Sequence, residues 1–174
     1  MNKFQTINVN LSNLSEEERK QLLELVKKGN KSPKKRWRAQ GDEKHYFIDS
    51  KGYIDSLKET NHAVDEHLYK VGNYFKTSEE AKFELNKRLV YQELKDYALE
   101  HNEGEIDWKN SEQEKWVISY DNQVKWLVYR DRYTLSDIGQ IYFSSCEIAR
   151  EAVKAIGEDR IKRYLFNIKE VTCS

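Results

Sequence analysis

Four histidines, His45, His62, His67 and His101, and two cysteines, Cys146 and Cys173, are the residues best suited to acid–base, nucleophilic or metal chemistry in this chain. Such chemistry needs them at recurring spacings, such as His-x-x-x-His on a helix or paired Cys-x-x-Cys. Neither occurs. His62 and His67 share an acidic stretch with Asp65 and Glu66, a nitrogen and oxygen donor set that would suit a weak metal site. A solvated loop that happens to hold two histidines accounts for the same residues. No Gly-rich phosphate or dinucleotide loop is present, and the seven glycines read as turn and cap residues. Asp and Glu are abundant, but abundance defines no catalytic pair and leaves a carboxylate–metal nuclease open. The reading is therefore a protein without catalytic residues, metal or cofactor.

Two clusters suit contact rather than catalysis. Lys27, Lys28, Lys31, Lys34, Lys35, Arg36 and Arg38 follow one another with no acidic residue among them. Within that run Lys34, Lys35, Arg36 and Arg38 would neutralise phosphates while Trp37 stacks on a base. The competing reading is a solvated linker whose Trp37 anchors the next element, and Trp108 occupies a parallel position without basic neighbours. The second cluster is Lys125, Trp126, Arg130, Arg132 and Tyr133. Trp, Tyr and Arg dominate the energetics of protein interfaces, so this is either an open partner-binding surface or a seam buried inside the body.

The elements that would position these residues follow from periodicity and punctuation. Residues 5–11 alternate and suggest a strand or extended arm. Ser15 with Glu18 is a capping box, and the helix it opens carries Leu22, Leu23, Leu25 and Val26 to Gly29. That helix is too short to stand alone in water, so its apolar stripe packs on the body or on a second copy, making a homodimer. Gly29, Asn30, Ser32 and Pro33 then form a linker. Residues 44–48 and 53–57 read as a hairpin about Asp49–Gly52, residues 58–68 as a polar loop, and Tyr74-Phe75 as a third strand. Thr77 or Ser78 caps a helix reaching His101–Gly104. The order then recurs: a hairpin of 116–120 and 124–129, a third strand at Ile141-Tyr142-Phe143, a cap at Ser144 or Ser145, a helix broken by Gly157, and a further helical segment to Phe166. Tyr142, Phe143, Glu147 and Ala149 fall on Tyr74, Phe75, Glu79 and Ala81 at one constant offset.

The fold class is accordingly α+β: two pseudo-repeated β-hairpin–strand–helix modules, 35–104 and 105–174, behind an N-terminal strand/helix arm and basic linker at 1–34. One such module exposes too much apolar face alone, so the two share a core, by joining sheet edges or by packing helix against sheet. The chain holds 30 basic and 30 acidic residues, a balance that argues against a globally electrostatic nucleic-acid binder but not against a local patch. With 11 Tyr, 4 Trp and 6 Phe there is material for a core. No apolar run suits a membrane span, and the polar start Met1-Asn2-Lys3 is no signal peptide. Cytoplasmic residence is expected.

The segments Trp37-Arg38-Ala39, Tyr46-Phe47-Ile48-Asp49-Ser50-x-Gly52, Gly72-Asn73-Tyr74-Phe75-Lys76-Thr77-x-Glu79-Glu80-Ala81 and Ile141-Tyr142-Phe143-Ser144-Ser145 resemble a widespread group of small proteins encoded by bacteriophages and prophages of Gram-positive bacteria. Glu105-Ile106-Asp107-Trp108 and Ile156-Gly157-Glu158-Asp159-Arg160 extend the likeness over about residues 35–166. The resemblance carries structural motifs and no catalytic residues. It implies a non-enzymatic accessory protein in the cytoplasm of a bacterial host. Such a protein would bind and inhibit a host defence protein or ribonucleoprotein complex, as an anti-CRISPR-type inhibitor of a nuclease complex or a sponge for a nucleotide immune signal. The alternative is a nucleic-acid-binding phage regulator acting through residues 27–38.

Overall fold

The structure, a computed structural model, describes residues 12, 14–29, 36–131 and 136–168. The expected strand at 5–11, Lys34, Lys35, Arg132, Tyr133 and Cys173 lie outside the described residues. The chain divides into two compact units, Met1–Trp37 and Arg38–Ser174.

In the first unit, helix α1 (Glu16–Gly29) begins at the expected capping box. The Ser15 amide and hydroxyl both donate to Glu18 Oε2, at 2.9 and 2.7 Å, while Glu18 N donates to Ser15 Oγ at 3.3 Å. These bonds, the side-chain one foremost, hold the Glu18 carboxyl below the usual range. Leu23, Leu25 and Val26 are exposed along the helix.

The second unit is a mixed α+β body. Strands β1 (Lys44–Ile48) and β2 (Ile54–Lys58) pair antiparallel with Ile48 opposite Ile54. Asp49 closes the turn: its Oδ1 accepts from Lys51 N at 2.8 Å and Tyr53 N at 2.7 Å, and Gly52 sits at φ 82°, where glycine carries no Cβ penalty. Helix α2 (Ala63–Lys70) occupies most of the stretch expected to be a loop. The His62 amide donates to Asp65 Oδ2 at 3.1 Å, a polar start signal that a reading based on apolar periodicity misses.

The two expected third strands shrink to single bridges. Phe75 exchanges both backbone bonds with Tyr46, at 2.9 and 2.8 Å, and Phe143 does the same with Trp116, at 2.8 and 2.9 Å. Neither continues, because the chain reaches a helix cap two residues later. Thr77 Oγ1 accepts from Glu80 N at 3.1 Å to open α3 (Ser78–His101), and Ser145 Oγ accepts from Ile148 N at 3.2 Å to open α4 (Cys146–Ile156). Between them β3 (Trp116–Asp121) and β4 (Trp126–Asp131) form the second hairpin. Its turn is longer than expected, since Lys125 adopts φ 62° and the returning strand starts at Trp126 rather than Val124.

The sheets stay separate, one for each hairpin, so the core is shared through helices. Helix α3 contacts β1 and β2 and also α4 and α5 (Glu158–Leu165). Its Val90, Leu94 and Ala98 pack into one cluster with Ile118, Leu127 and Phe143 of the second hairpin region. Helix α4 adds Ala149, Ala152, Val153 and Ile156, whose i, i+3, i+4, i+7 spacing makes one buried stripe. The small alanines let α4 approach closely. Gly157, at φ 100°, makes the corner into α5. Arg160 then clamps α5 to α3 through two 2.8 Å bonds to Glu93.

Candidate functional site

A cluster of buried polar side chains lies in the first half, around β1, β2 and α2. Glu59, immediately after β2, is buried at 2% exposure. It accepts from Arg38 Nε at 3.1 Å, Arg38 Nη2 at 3.3 Å, Tyr74 Oη at 2.6 Å and Asn61 N at 2.7 Å. Those donors fill the lone pairs of both carboxylate oxygens. The Arg38 guanidinium above all, with Tyr74 and Asn61, outweighs burial and pulls the Glu59 carboxyl down to about 2. Arg38 also donates to Glu66 at 2.6 Å and lies 5.3 Å from the Tyr69 ring centroid. Burial, then the bond to Glu59, raises the Tyr74 phenol above its ordinary range, so it serves as a donor and not as a base.

Asp65, also buried, accepts at Oδ2 from Thr60 N, Thr60 Oγ1 and His62 N, each at 3.1 Å. Burial raises its carboxyl, but these bonds prevail and leave it below the usual value. His45 on β1 is fully buried and stacks on Tyr74 with centroids 4.0 Å apart and planes within 10°. Its Nε2 stands 3.7 Å from Asp65 Oδ1, too far for a hydrogen bond, and neither ring nitrogen has a partner. Burial, more than the neighbouring carboxylates, sets its pKa and lowers it. The cluster is thus two ionised carboxylates, a phenol and a neutral imidazole. The carboxylates are saturated with donors, and the imidazole is sealed from solvent. That arrangement binds β1, β2, α2 and the segment at Arg38–Ala39 into one piece. It offers no open acid or base.

Immediately before β3, Lys115 is also fully buried. Its ammonium donates to the Asn110 and Gln113 carbonyls at 2.8 and 3.0 Å and lies 5.6 Å from the Trp108 ring centroid. Trp108 meets Tyr142 edge-on at 4.8 Å. Carbonyls and an indole face therefore satisfy the ammonium without an acidic partner.

A second group of aromatic and charged side chains lies on the second hairpin. Trp126 is 62% exposed. Lys162 of α5 places its ammonium 4.8 Å from one indole face while contacting Glu158 at 2.5 Å. Arg130 lies 3.6 Å from Asp121, Lys125 is exposed in the turn, and Arg150 of α4 lies 5.3 Å from the Tyr129 ring centroid. Alternation along β4 puts Leu127 and Tyr129 toward the core and Trp126, Val128 and Arg130 on the opposite face. Cations here sit beside carboxylates and aromatic rings, a mixed-charge surface that suits protein better than a phosphate backbone.

The residues singled out from sequence are thus treated differently. Arg36 and Trp37 are exposed at the end of the first unit. Arg38, grouped with them as a phosphate contact, is committed to Glu59 and Glu66. Lys125, Trp126 and Arg130 come together on the hairpin, and Trp126 is open rather than sealed between modules. Lys162, Arg150 and Asp121 complete that surface. No sequence signal marks them, because each meets the hairpin through tertiary packing or across a strand pair. His62 caps α2 and Asp65 is occupied by Thr60 and His62. Among the described residues no three His, Cys, Asp or Glu side chains converge to hold a metal ion.

A cleft of about 710 Å³ runs beside α3, within the size range of small-molecule sites. Tyr91, Leu99, Ile106 and Ile141 supply apolar walls, and Lys95 stands there with Asp96 and Glu105. Two carboxylates against one ammonium disfavour a polyphosphate. No described helix is long and apolar enough to cross a membrane. No family model matches the chain, and no curated protein and no solved structure matches it either.

Proposed function

We propose that this chain is a stoichiometric binding protein without catalytic activity, and that it inhibits a protein component of a host antiviral system. The observation that carries the reading is the contrast between two sites. Around β1, β2 and α2 the carboxylates of Glu59 and Asp65 are buried and filled with donors and His45 is sealed from solvent, whereas Trp126 stands exposed among Lys125, Arg130 and Lys162. A large aromatic ring flanked by arginine and lysine is the composition of an interface hot spot. The likeness to phage accessory proteins supplies the class of target, a nuclease complex being the foremost example.

Within this reading a protein partner is favoured over a nucleotide signal. The α3 cleft carries more acid than base, and Arg38 is held by two glutamates. The test is paired affinity capture from lysate of a phage-infected host, using the natural protein and Trp126→Ala with Arg130→Glu. Recovery of one host protein at near-equal amounts, lost in the double variant, supports the proposal. Equal recovery by both proteins removes the hairpin from it. A salt-sensitive DNA or RNA shift lost on substituting Lys34, Lys35 and Arg36 would instead favour the nucleic-acid-binding regulator.

A further inference from the structure

Among the described residues, the second hairpin leaves one strand edge unpaired. Trp116 on β3 exchanges both backbone bonds with Phe143, so its amide and carbonyl face away from β4. Since Trp116 lies opposite Asp131, the alternation of an antiparallel ladder fixes the rest. Trp126, Val128 and Arg130 direct their backbone groups to β3. Leu127, Tyr129 and Asp131 direct theirs outward, and among the described residues no strand pairs with that side of β4. Open edges in soluble proteins are normally short, charged in the middle or covered. This one reads Trp-Leu-Val-Tyr, with its charges only at the ends.

The order of side chains along the edge says what fits it. Consider a second copy of β4 laid antiparallel with a twofold axis through Val128. Leu127 then meets Tyr129 of the second copy in a hydrogen-bonded pair, which is the phase in which both strands present free backbone groups. Trp126 meets Arg130 of the second copy on the outer face, where a guanidinium over an indole is attractive. Lys125 in the turn comes level with Asp131 of the second copy, giving an ion pair at each end. Val128 meets its own counterpart on the axis. Sequence and ladder phase thus favour the same register.

Strand β2 provides the internal contrast. Its outward backbone groups belong to Ile54, Ser56 and Lys58, by the same reasoning from Tyr46 and Phe75. Self-pairing about Ser56 would set Asp55 against Leu57 and Ile54 against Lys58, each a charge against an apolar side chain. The edge of β2 opposes its own copy where the edge of β4 complements it.

We propose that two copies of this chain associate through their β4 edges, with Val128 on the twofold axis, forming one continuous sheet from the two hairpins. The contact is short and polar at its ends, so association depends on concentration. It places a pair of Trp126 and Arg130 side chains along one seam. This inference rests on the hairpin alone and not on the identity of any host target.

The test uses the full chain. Sedimentation velocity across a dilution series reaching on the order of 100 μM should show a monomer passing to a dimer. Val128→Lys, at a half-buried outward position, brings two ammonium groups together on the axis and should leave only monomer with an unchanged far-ultraviolet circular dichroism spectrum. In a Cys146→Ser, Cys173→Ser background, Val128→Cys should form a disulfide-linked dimer under mild oxidation. Facing residues of a non-hydrogen-bonded antiparallel pair lie about 4.5 Å apart at Cα, within disulfide reach. Monomer at every concentration together with no cross-link overturns the proposal. So does a dimer that Val128→Lys leaves intact, which would move the association to another surface.

Discussion

Replacing Glu59 by Gln examines whether the buried cluster is a structural clamp. The substitution keeps shape and leaves one amide oxygen as acceptor, but removes the charge that Arg38 and Tyr74 hold. The magnitude follows from the carboxyl itself, held at about 2 against an ordinary 4.5. At about 1.4 kcal/mol for each pH unit this is about 3 kcal/mol of stability at neutral pH. The sign is that of a depressed carboxylate. Its stabilisation is fully present above about 4.5, where Glu59 is ionised in both the folded and the unfolded chain. It is lost as pH falls toward 2, because the unfolded chain binds the proton first. Urea unfolding of the natural protein and Glu59→Gln at a series of pH values reads this directly. A gap of about 2 to 3 kcal/mol is expected at pH 7, shrinking to roughly 1.4 kcal/mol at pH 3. A gap under about 0.5 kcal/mol at pH 7, or one that stays constant on acidification, would refute the clamp.

Further expectations concern other links in the fold. His45, whose pKa is lowered by burial, stays neutral when folded while the unfolded chain takes up a proton below about 6.5. Stability should therefore begin to fall below that value, before Glu59 contributes, and His45→Phe should remove this first decline in the same urea series. Thr77→Ala and Ser145→Ala each remove a cap acceptor for α3 and α4, and should cost about 1 kcal/mol apiece in denaturant unfolding. Gly157→Ala places a Cβ at φ 100° and should destabilise by about 1 kcal/mol or more. Phe143→Ala empties a site that is 1% exposed between the hairpin and the helices, with an expected loss of about 3 to 5 kcal/mol.

Much of the local architecture was legible because its signals are short-range. The Asp49–Gly52 turn, the capping box at Ser15, the caps at Thr77 and Ser145 and the break at Gly157 each declare themselves within a few residues. What escaped depended on distant partners. Tyr74-Phe75 and Ile141–Phe143 have strand composition, yet each meets its hairpin at one bridge because the adjacent helix cap ends the extended run. Helix α2 was hidden by its polarity, since its start is specified by His62 and Asp65 rather than by apolar periodicity. Arg38 looked like part of a basic tract, but Glu59 and Glu66 neutralise it across sequence separations of 21 and 28 residues. Of the exposed group on the second hairpin, Lys125, Trp126 and Arg130 could be named from their clustering. Lys162 joins them only because α5 packs beside the hairpin, which no pattern in the chain announces.

The division of labour between buried cluster and exposed hairpin is tested most directly by one comparative capture experiment. Natural protein, Glu59→Gln and Trp126→Ala would be immobilised at equal amounts at a temperature where unfolding curves show all three folded, then exposed to the same infected-host lysate. If the proposed function holds, the natural protein and Glu59→Gln retain one host protein and Trp126→Ala loses it. Loss by Glu59→Gln with full retention by Trp126→Ala would contradict the account and place function in the cluster around Glu59.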